Sequence, residues 1–174
     1  MNERHPAPGG LALIESLVNT VDLASGVDLL DTGDGRAPFG ITAAELPAVR
    51  ELREALRAAC LAHAGHALPD GPAPSALGPL LARAPLLVEV ADDGTAALAP
   101  ADGADLHARV AAAIATAVAD GTWHRLKGCE SEDCRWAYYD RSPAGRRRWC
   151  SMSVCGARAK MRAYRARGRG RSSA

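Results

Sequence analysis

A chain of 174 residues with 48% hydrophobic content can bury one ordinary core with room for a small extra module. No run approaches the roughly 18 to 20 uninterrupted apolar residues of a membrane span, and Met1-Asn2-Glu3-Arg4-His5-Pro6 lacks a basic stretch leading into an apolar one, so the expectation is a cytoplasmic protein with no membrane partner. The net charge of +1 hides a division: residues 1–122 carry 7 Lys/Arg against 16 Asp/Glu, whereas residues 123–174 carry 14 against 4. A basic end joined to an acidic body suits a chain that meets a polyanion at one end only.

Leu11, Ile14, Leu17, Val18 and Val21 recur at helical spacing and predict a helix ending near Ser25-Gly26. An Asp- and Gly-rich loop covers Asp28 to Gly40. Thr42 stands three residues before Glu45, a capping-box pattern opening a helix whose face is Leu46, Val49, Leu52, Leu56 and Cys60, with Pro47 tolerated in the first turn. The prolines and glycine of Leu68 to Pro74 demand a loop. A short helix around Leu77, Leu80 and Leu81 stops at Pro85. Leu86–Val90 and Thr95–Ala99 flank Asp93-Gly94 and predict a β-hairpin. Asp102 is placed to cap a helix with Leu106, Val110, Ile114 and Val118 on one face.

Phe39 stands alone early in the chain, and the other aromatic residues cluster late, at Trp123, Trp136, Tyr138, Tyr139, Trp149 and Tyr164, around four of the five cysteines. Cys129-x4-Cys134 and Cys150-x4-Cys155 form two close pairs separated by one hairpin's length, which is what a tetrahedral thiolate site requires. Disulfides are the competing reading, which a reducing compartment disfavours. The expected cofactor is one structural Zn2+ held by Cys129, Cys134, Cys150 and Cys155. Trp136–Asp140 reads as a strand, Arg141–Gly145 as a turn, Arg146–Cys150 as the returning strand, and Ser153 as the cap of a helix with Cys155 in its first turn. On that helix Val154, Ala157, Met161 and Tyr164 line up as an apolar stripe expected to pack on the hairpin aromatics.

The predicted fold is α+β: a mainly helical N-terminal domain over residues 1–122 with one small β-hairpin, a treble-clef-like zinc finger of hairpin and helix over residues 123–167, and a disordered basic tail over residues 168–174. Nine arginines and one lysine lie between Arg146 and Arg171. Four thiolates on one zinc leave a charge of −2 that some of them would balance. The surplus suits phosphate contacts through Arg146, Arg147, Arg148, Arg158, Lys160, Arg162 and Arg165.

The segments Cys129-Glu130-Ser131-Glu132-Asp133-Cys134-Arg135-Trp136, Tyr139-Asp140-Arg141-Ser142, Arg147-Arg148-Trp149-Cys150-Ser151-Met152 and Cys155-Gly156-Ala157-Arg158-Ala159-Lys160 closely resemble the bacterial CGNR-type zinc finger. In proteins of that kind the finger follows a helical ABATE domain, similar here at Leu11–Thr20 and Leu52–Arg57. The resemblance implies a stress-induced transcription regulator whose partner is DNA and whose body senses a small molecule. A homo-oligomer, an RNA partner, and a protein-interaction module docking another protein or the chain's own acidic body are compatible alternatives. The family motif has Asn where this chain has Ala157, leaving the zinc ligands intact but removing an amide beside Arg158.

Cys60, His63 and His66 are spaced by threes, but that spacing drifts around a helix and is better read as ordinary packing. Asn19, Thr20 and Asp22 match the family's early polar cluster; such groups at a helix end usually satisfy backbone atoms, and the alternative is a ligand pocket. No nucleophile elbow, phosphate loop or His-Glu-x-x-His pair is present, and four thiolates leave zinc no open position, so no enzymatic activity is expected.

Overall fold

The structure is a computed structural model that describes residues 5–66, 70–101 and 105–171. Helix α1 (Leu11–Val18) buries Leu11, Ile14, Leu17 and Val18 along one face. It ends well before the expected Ser25-Gly26. The Asp22 carboxylate accepts the N–H groups of Ala24 and Ser25 at 2.9 and 3.4 Å, an alternative to helical bonding, and the chain turns through a short antiparallel pair, β1 (Val21–Asp22) and β2 (Val27–Asp28). The loop up to Gly40 then winds through short turns, including the four-residue α2 (Gly33–Arg36), and drops Leu30 and Phe39 into the core.

The capping box forms as expected: the Thr42 N–H donates to Glu45 Oε2 at 2.8 Å, and the Thr42 side chain accepts in return. After one 3-10 turn it leads into α3 (Leu46–His63), the central element. Val49, Leu52, Leu56 and Cys60 are buried as their spacing requires, but so are two arginines, Arg53 and Arg57.

Helix α4 (Leu77–Leu81) and the hairpin β3 (Leu86–Val90) and β4 (Ala96–Pro100) follow. The second strand starts one residue late because Thr95 donates from its N–H and hydroxyl to Asp93 Oδ1 and belongs to the turn. Helix α5 (Leu106–Ala119) buries Leu106 and Val110, whereas Val118 is 58% exposed and Ala113 and Ala117 take the close packing. The expected cap Asp102 lies outside the described residues; Asp105 instead accepts the His107 N–H at 3.2 Å. Among the described residues no helix is long and apolar enough to cross a membrane.

The C-terminal part pairs β5 (Leu126–Gly128) with β6 (Ala137–Tyr139), Gly128 opposite Ala137. This corrects the expected hairpin in two ways. The partner strand precedes the knuckle, and residues 146–150 form no strand, because the Arg147 N–H is taken by Asp140 Oδ2 at 2.9 Å and the Arg148 carbonyl accepts from Glu130. Leu126 and Ala137 are built into the same core as α1, α3 and α5, so body and finger share apolar packing. Gly128 makes this possible: a Cβ there would lie 2.7 Å from Leu61 Cγ and Cδ2 and 3.0 Å from the Leu61 nitrogen. Gly128→Ala is therefore expected to push β5 off α3 and cost about 2 kcal/mol in a urea unfolding titration.

The chain closes with α6 (Ala157–Arg171), entered through a π-type turn over Met152–Gly156. Its last residues, 168–171, fall in the tail expected to be disordered; the helix bounds include them although Gly168 and Gly170 are poor helix formers. Residues 172–174 lie outside the described residues.

Candidate metal centre

Cys129 follows β5 directly, Cys134 closes the knuckle, Cys150 ends the return loop, and Cys155 sits in the turn before α6. Their four sulfur atoms all lie within 4.8 Å of one another. Cys134 to Cys150 is 3.6 Å and Cys150 to Cys155 is 3.8 Å. Thiolates at about 2.3 Å from a tetrahedral zinc would stand about 3.8 Å apart, so the cluster has the right size and donor chemistry for that ion. Cys129, Cys150 and Cys155 are buried and Cys134 is half-buried.

The knuckle is held by its own backbone. The Cys129 N–H donates to the Trp136 carbonyl at 2.8 Å, and the N–H groups of Cys134 and Arg135 donate to the Ser131 carbonyl at 2.9 and 3.0 Å. This winding forces Arg135 to a φ of 50°, a left-handed conformation for a residue with a side chain. At the second pair the helical segment begins at Met152, with Ser151 in the cap position, not Ser153. The Gly156 N–H reaches the Ser151 carbonyl at 3.0 Å, and the Ser151 and Ser153 hydroxyls bond each other. Cys155 is nonetheless in the opening turn, as expected.

The clustered sulfurs bear on one another's ionisation. Hydrogen bonds from Cys134 and Cys150 hold the Cys129 thiol well below its ordinary value, and the same bonds push Cys134 and Cys150 up. One thiolate is thus stabilised at its neighbours' expense. A divalent ion removes the conflict, because it favours the thiolate at every position.

Around the sulfurs pack Tyr138, Trp136 and Trp149. The Tyr138 hydroxyl donates to the Arg147 carbonyl at 2.5 Å, Arg147 lies over the Tyr138 ring, and Arg148 over Trp149. Beneath them, Lys127 and the fully buried Asp140 pair at 3.1 Å. Burial alone would raise the Asp140 carboxyl, but hydrogen bonds from Ser142, the Arg147 backbone and Lys127 outweigh it and hold the group at about 2. It is ionised wherever thiolates can hold zinc. Asp140→Asn keeps the shape but replaces an acceptor with a donor facing Lys127 and the Arg147 N–H, and is expected to cost about 2 kcal/mol by thermal or urea unfolding.

Residues 125–168 match the family model of the CGNR zinc finger. Comparison with curated proteins finds no match. The matched span begins at the residue before β5 and covers both cysteine pairs, so the CGNR finger and the four-sulfur cluster coincide, with one structural zinc ion as cofactor. In its motif, Gly156 is buried where a Cβ would crowd Met152 and Trp149, while Ala157 is exposed at the start of α6. An amide at residue 157 would face solvent and not the metal.

The basic residues proposed for nucleic-acid contact divide into two groups. Arg147 donates to the Cys150 carbonyl at 3.1 Å, Arg148 pairs with Glu130, and Arg162 reaches Asp133 at 3.6 Å, so these three also brace the finger. Arg146, Arg158, Lys160 and Arg165 are exposed and form no ion pair among the described residues. The apolar stripe of the last helix does not pack on the hairpin aromatics: Val154, Met161 and Tyr164 are 45%, 51% and 68% exposed. Those aromatics are already engaged with the cysteines, Arg147 and Arg148, and α6 turns Ala159 and Arg162 toward the knuckle instead.

Cys60, His63 and His66 bring no ligand atoms together. Burial pushes the Cys60 thiol up to about 12 inside the core, and His63 Nδ1 lies 2.8 Å from the Leu126 carbonyl. Asn19, Thr20 and Asp22 serve three different ends. Asn19 grips the backbone of β6, donating to the Ala137 carbonyl at 3.0 Å and accepting its N–H at 2.7 Å. The Thr20 hydroxyl donates to Leu17 and accepts from Arg53. Asp22 borders a groove beside Cys134 and Cys150. Unforeseen in the sequence was Arg57, which donates at once to Glu54, the Val18 carbonyl and the Arg135 carbonyl.

Proposed function

We propose that the protein is a DNA-binding transcription regulator whose zinc holds a basic surface in fixed geometry, and whose acidic body provides regulation. The observation that carries this reading is the exposed set Arg146, Arg158, Lys160 and Arg165: four cations without acidic partners among the described residues, on a finger that already balances other arginines with Glu130 and Asp133. Such cations carry affinity for phosphates without sequence information. The zinc is read as structural, since four thiolates complete its coordination, and no catalytic role is proposed.

Regulation would enter where body and finger meet. A groove of about 550 Å³ there is bounded by Leu23 and Glu54 on the body and by Glu132 and Arg135 on the knuckle, a place where a small molecule would bear on both. Docking of the basic end onto the chain's own acidic body gains no support from the one ion pair that α6 makes among the described residues, Arg162 to Asp133, which stays within the finger.

The test is a salt titration of duplex binding by the full zinc-loaded chain. Affinity is expected to fall linearly on a log–log plot, and replacing Arg158 and Arg165 with alanine should lower the slope by about 2, near 0.9 per lost phosphate contact. An absence of duplex binding at low salt would overturn the proposal.

A further inference from the structure

We infer that α6 is a groove-reading helix whose exposed apolar stripe meets base edges in the major groove of B-form DNA while its two charged flanks take the phosphates on either side. The inference rests on the DNA-binding reading above and adds to it a mode of contact, a choice of DNA over RNA, and sequence preference.

Successive residues of an α-helix turn by about 100°. Ala157, Met161 and Tyr164 therefore share one stripe; Arg158, Arg162 and Arg165 fall on one side of it, and Lys160 and Arg167 on the other. The opposite face, at Ala159, is the one turned to the knuckle. The free face is thus apolar in the middle and cationic at both edges. A protein partner with one acidic patch would match one flank; two parallel rows of phosphates with a less polar floor between them match both.

The helix also carries a penalty that such a ligand relieves. From Lys160 through Arg167 every residue is exposed, so packing contributes little to this stretch. Arg158 with Arg162, and Arg162 with Arg165, are like charges at i,i+4 and i,i+3, where they repel, and Asp133 offsets this at Arg162 alone, leaving Arg158 and Arg165 without an acidic partner among the described residues. Phosphates would turn that repulsion into attraction. The fit is also one of size: a helix enters the roughly 12 Å major groove of B-DNA, whereas the deep, narrow groove of A-form RNA excludes side chains from base edges.

The experiment uses the full zinc-loaded chain and its Met161→Ala/Tyr164→Ala double variant, whose altered side chains are at least half exposed, with zinc content checked in both. Duplexes selected from a random DNA library are compared with shuffled duplexes and with RNA duplexes of the selected sequence. We expect the wild type to prefer the selected over the shuffled DNA by about tenfold or more. The double variant should lose that preference with an unchanged salt slope, and RNA should bind no better than shuffled DNA. Salt-dependent binding with no preference in either protein would overturn groove reading and leave phosphate binding standing. Preference for the RNA duplex would overturn it as well, and no duplex binding at all would overturn both.

Discussion

Replacing Cys150 with serine should strip the zinc from the chain and destabilise the body as well as the finger. Cys150 lies between Cys134 and Cys155 in the cluster, and its loss leaves three thiolates and an incomplete tetrahedron. Structural zinc supplies an apparent binding energy of about 10 kcal/mol or more, comparable to the whole stability of an ordinary domain. The consequence is not confined to the finger because Leu126 and Ala137 belong to the main core and Asn19 clamps β6 from the body. Elemental analysis should give one zinc per wild-type chain and none for the variant. Calorimetry should show a single transition for the zinc-loaded protein that moves to markedly lower temperature after chelation or in Cys150→Ser. A second transition that zinc removal leaves in place would contradict the shared core. Cys60→Ala, which removes a buried thiol far from ligand duty, should keep the zinc stoichiometry at one.

The zinc site was legible because it depends on ligand type and spacing, and spacing survives any error in the strands between the ligands. The hairpin was not, for a physical reason: Arg146–Cys150 has the composition of a strand, but its backbone groups are taken by Asp140 and Glu130, side chains and atoms remote in sequence. Helices α1, α3 and α5 were readable from periodicity, and the capping box fixed the start of the central one. The end of α1 was not, because Asp22 offers its carboxylate to the following backbone and competes with helical bonding. Periodicity also misled at the last helix. An apolar stripe in a sequence says that a face could be buried, and Val154, Met161 and Tyr164 remain exposed because nothing in the chain covers them among the described residues. The contacts that join body to finger, through Asn19, Arg57 and Gly128, are single residues without a repeating pattern. The nearest signal was Glu54 placed between Arg53 and Arg57, an ion-pair grouping on a helix face otherwise bound for the core.

Arg57→Met should be the most damaging single change outside the metal ligands. The wild-type side chain is 1% exposed and spends each nitrogen on a different element: Nε on Glu54 at 2.8 Å within α3, Nη2 on the Val18 carbonyl at 2.8 Å at the end of α1, and Nη1 on the Arg135 carbonyl at 3.0 Å in the knuckle. Methionine fills similar volume and donates nothing. It leaves two buried carbonyls unpaired, and Glu54 with Arg53 alone, at a cost of about 3 kcal/mol. Burial by itself would raise the Glu54 carboxyl, but its bonds to Arg57 and Arg53 prevail and lower it below 4.5. A lowered folded-state value means the contribution is fully present above 4.5 and fades only as pH falls below it. The stability difference between wild type and variant should therefore be flat from about pH 6 to 8. Because Arg135 sits at positive φ beside the ligand Cys134, losing the bond to its carbonyl should also loosen the knuckle, seen as faster zinc transfer to a chelator. Unchanged transfer together with a large loss of stability would confine Arg57 to the body, and the link between α1, α3 and the metal site would then rest on Asn19 and the apolar contacts of β5.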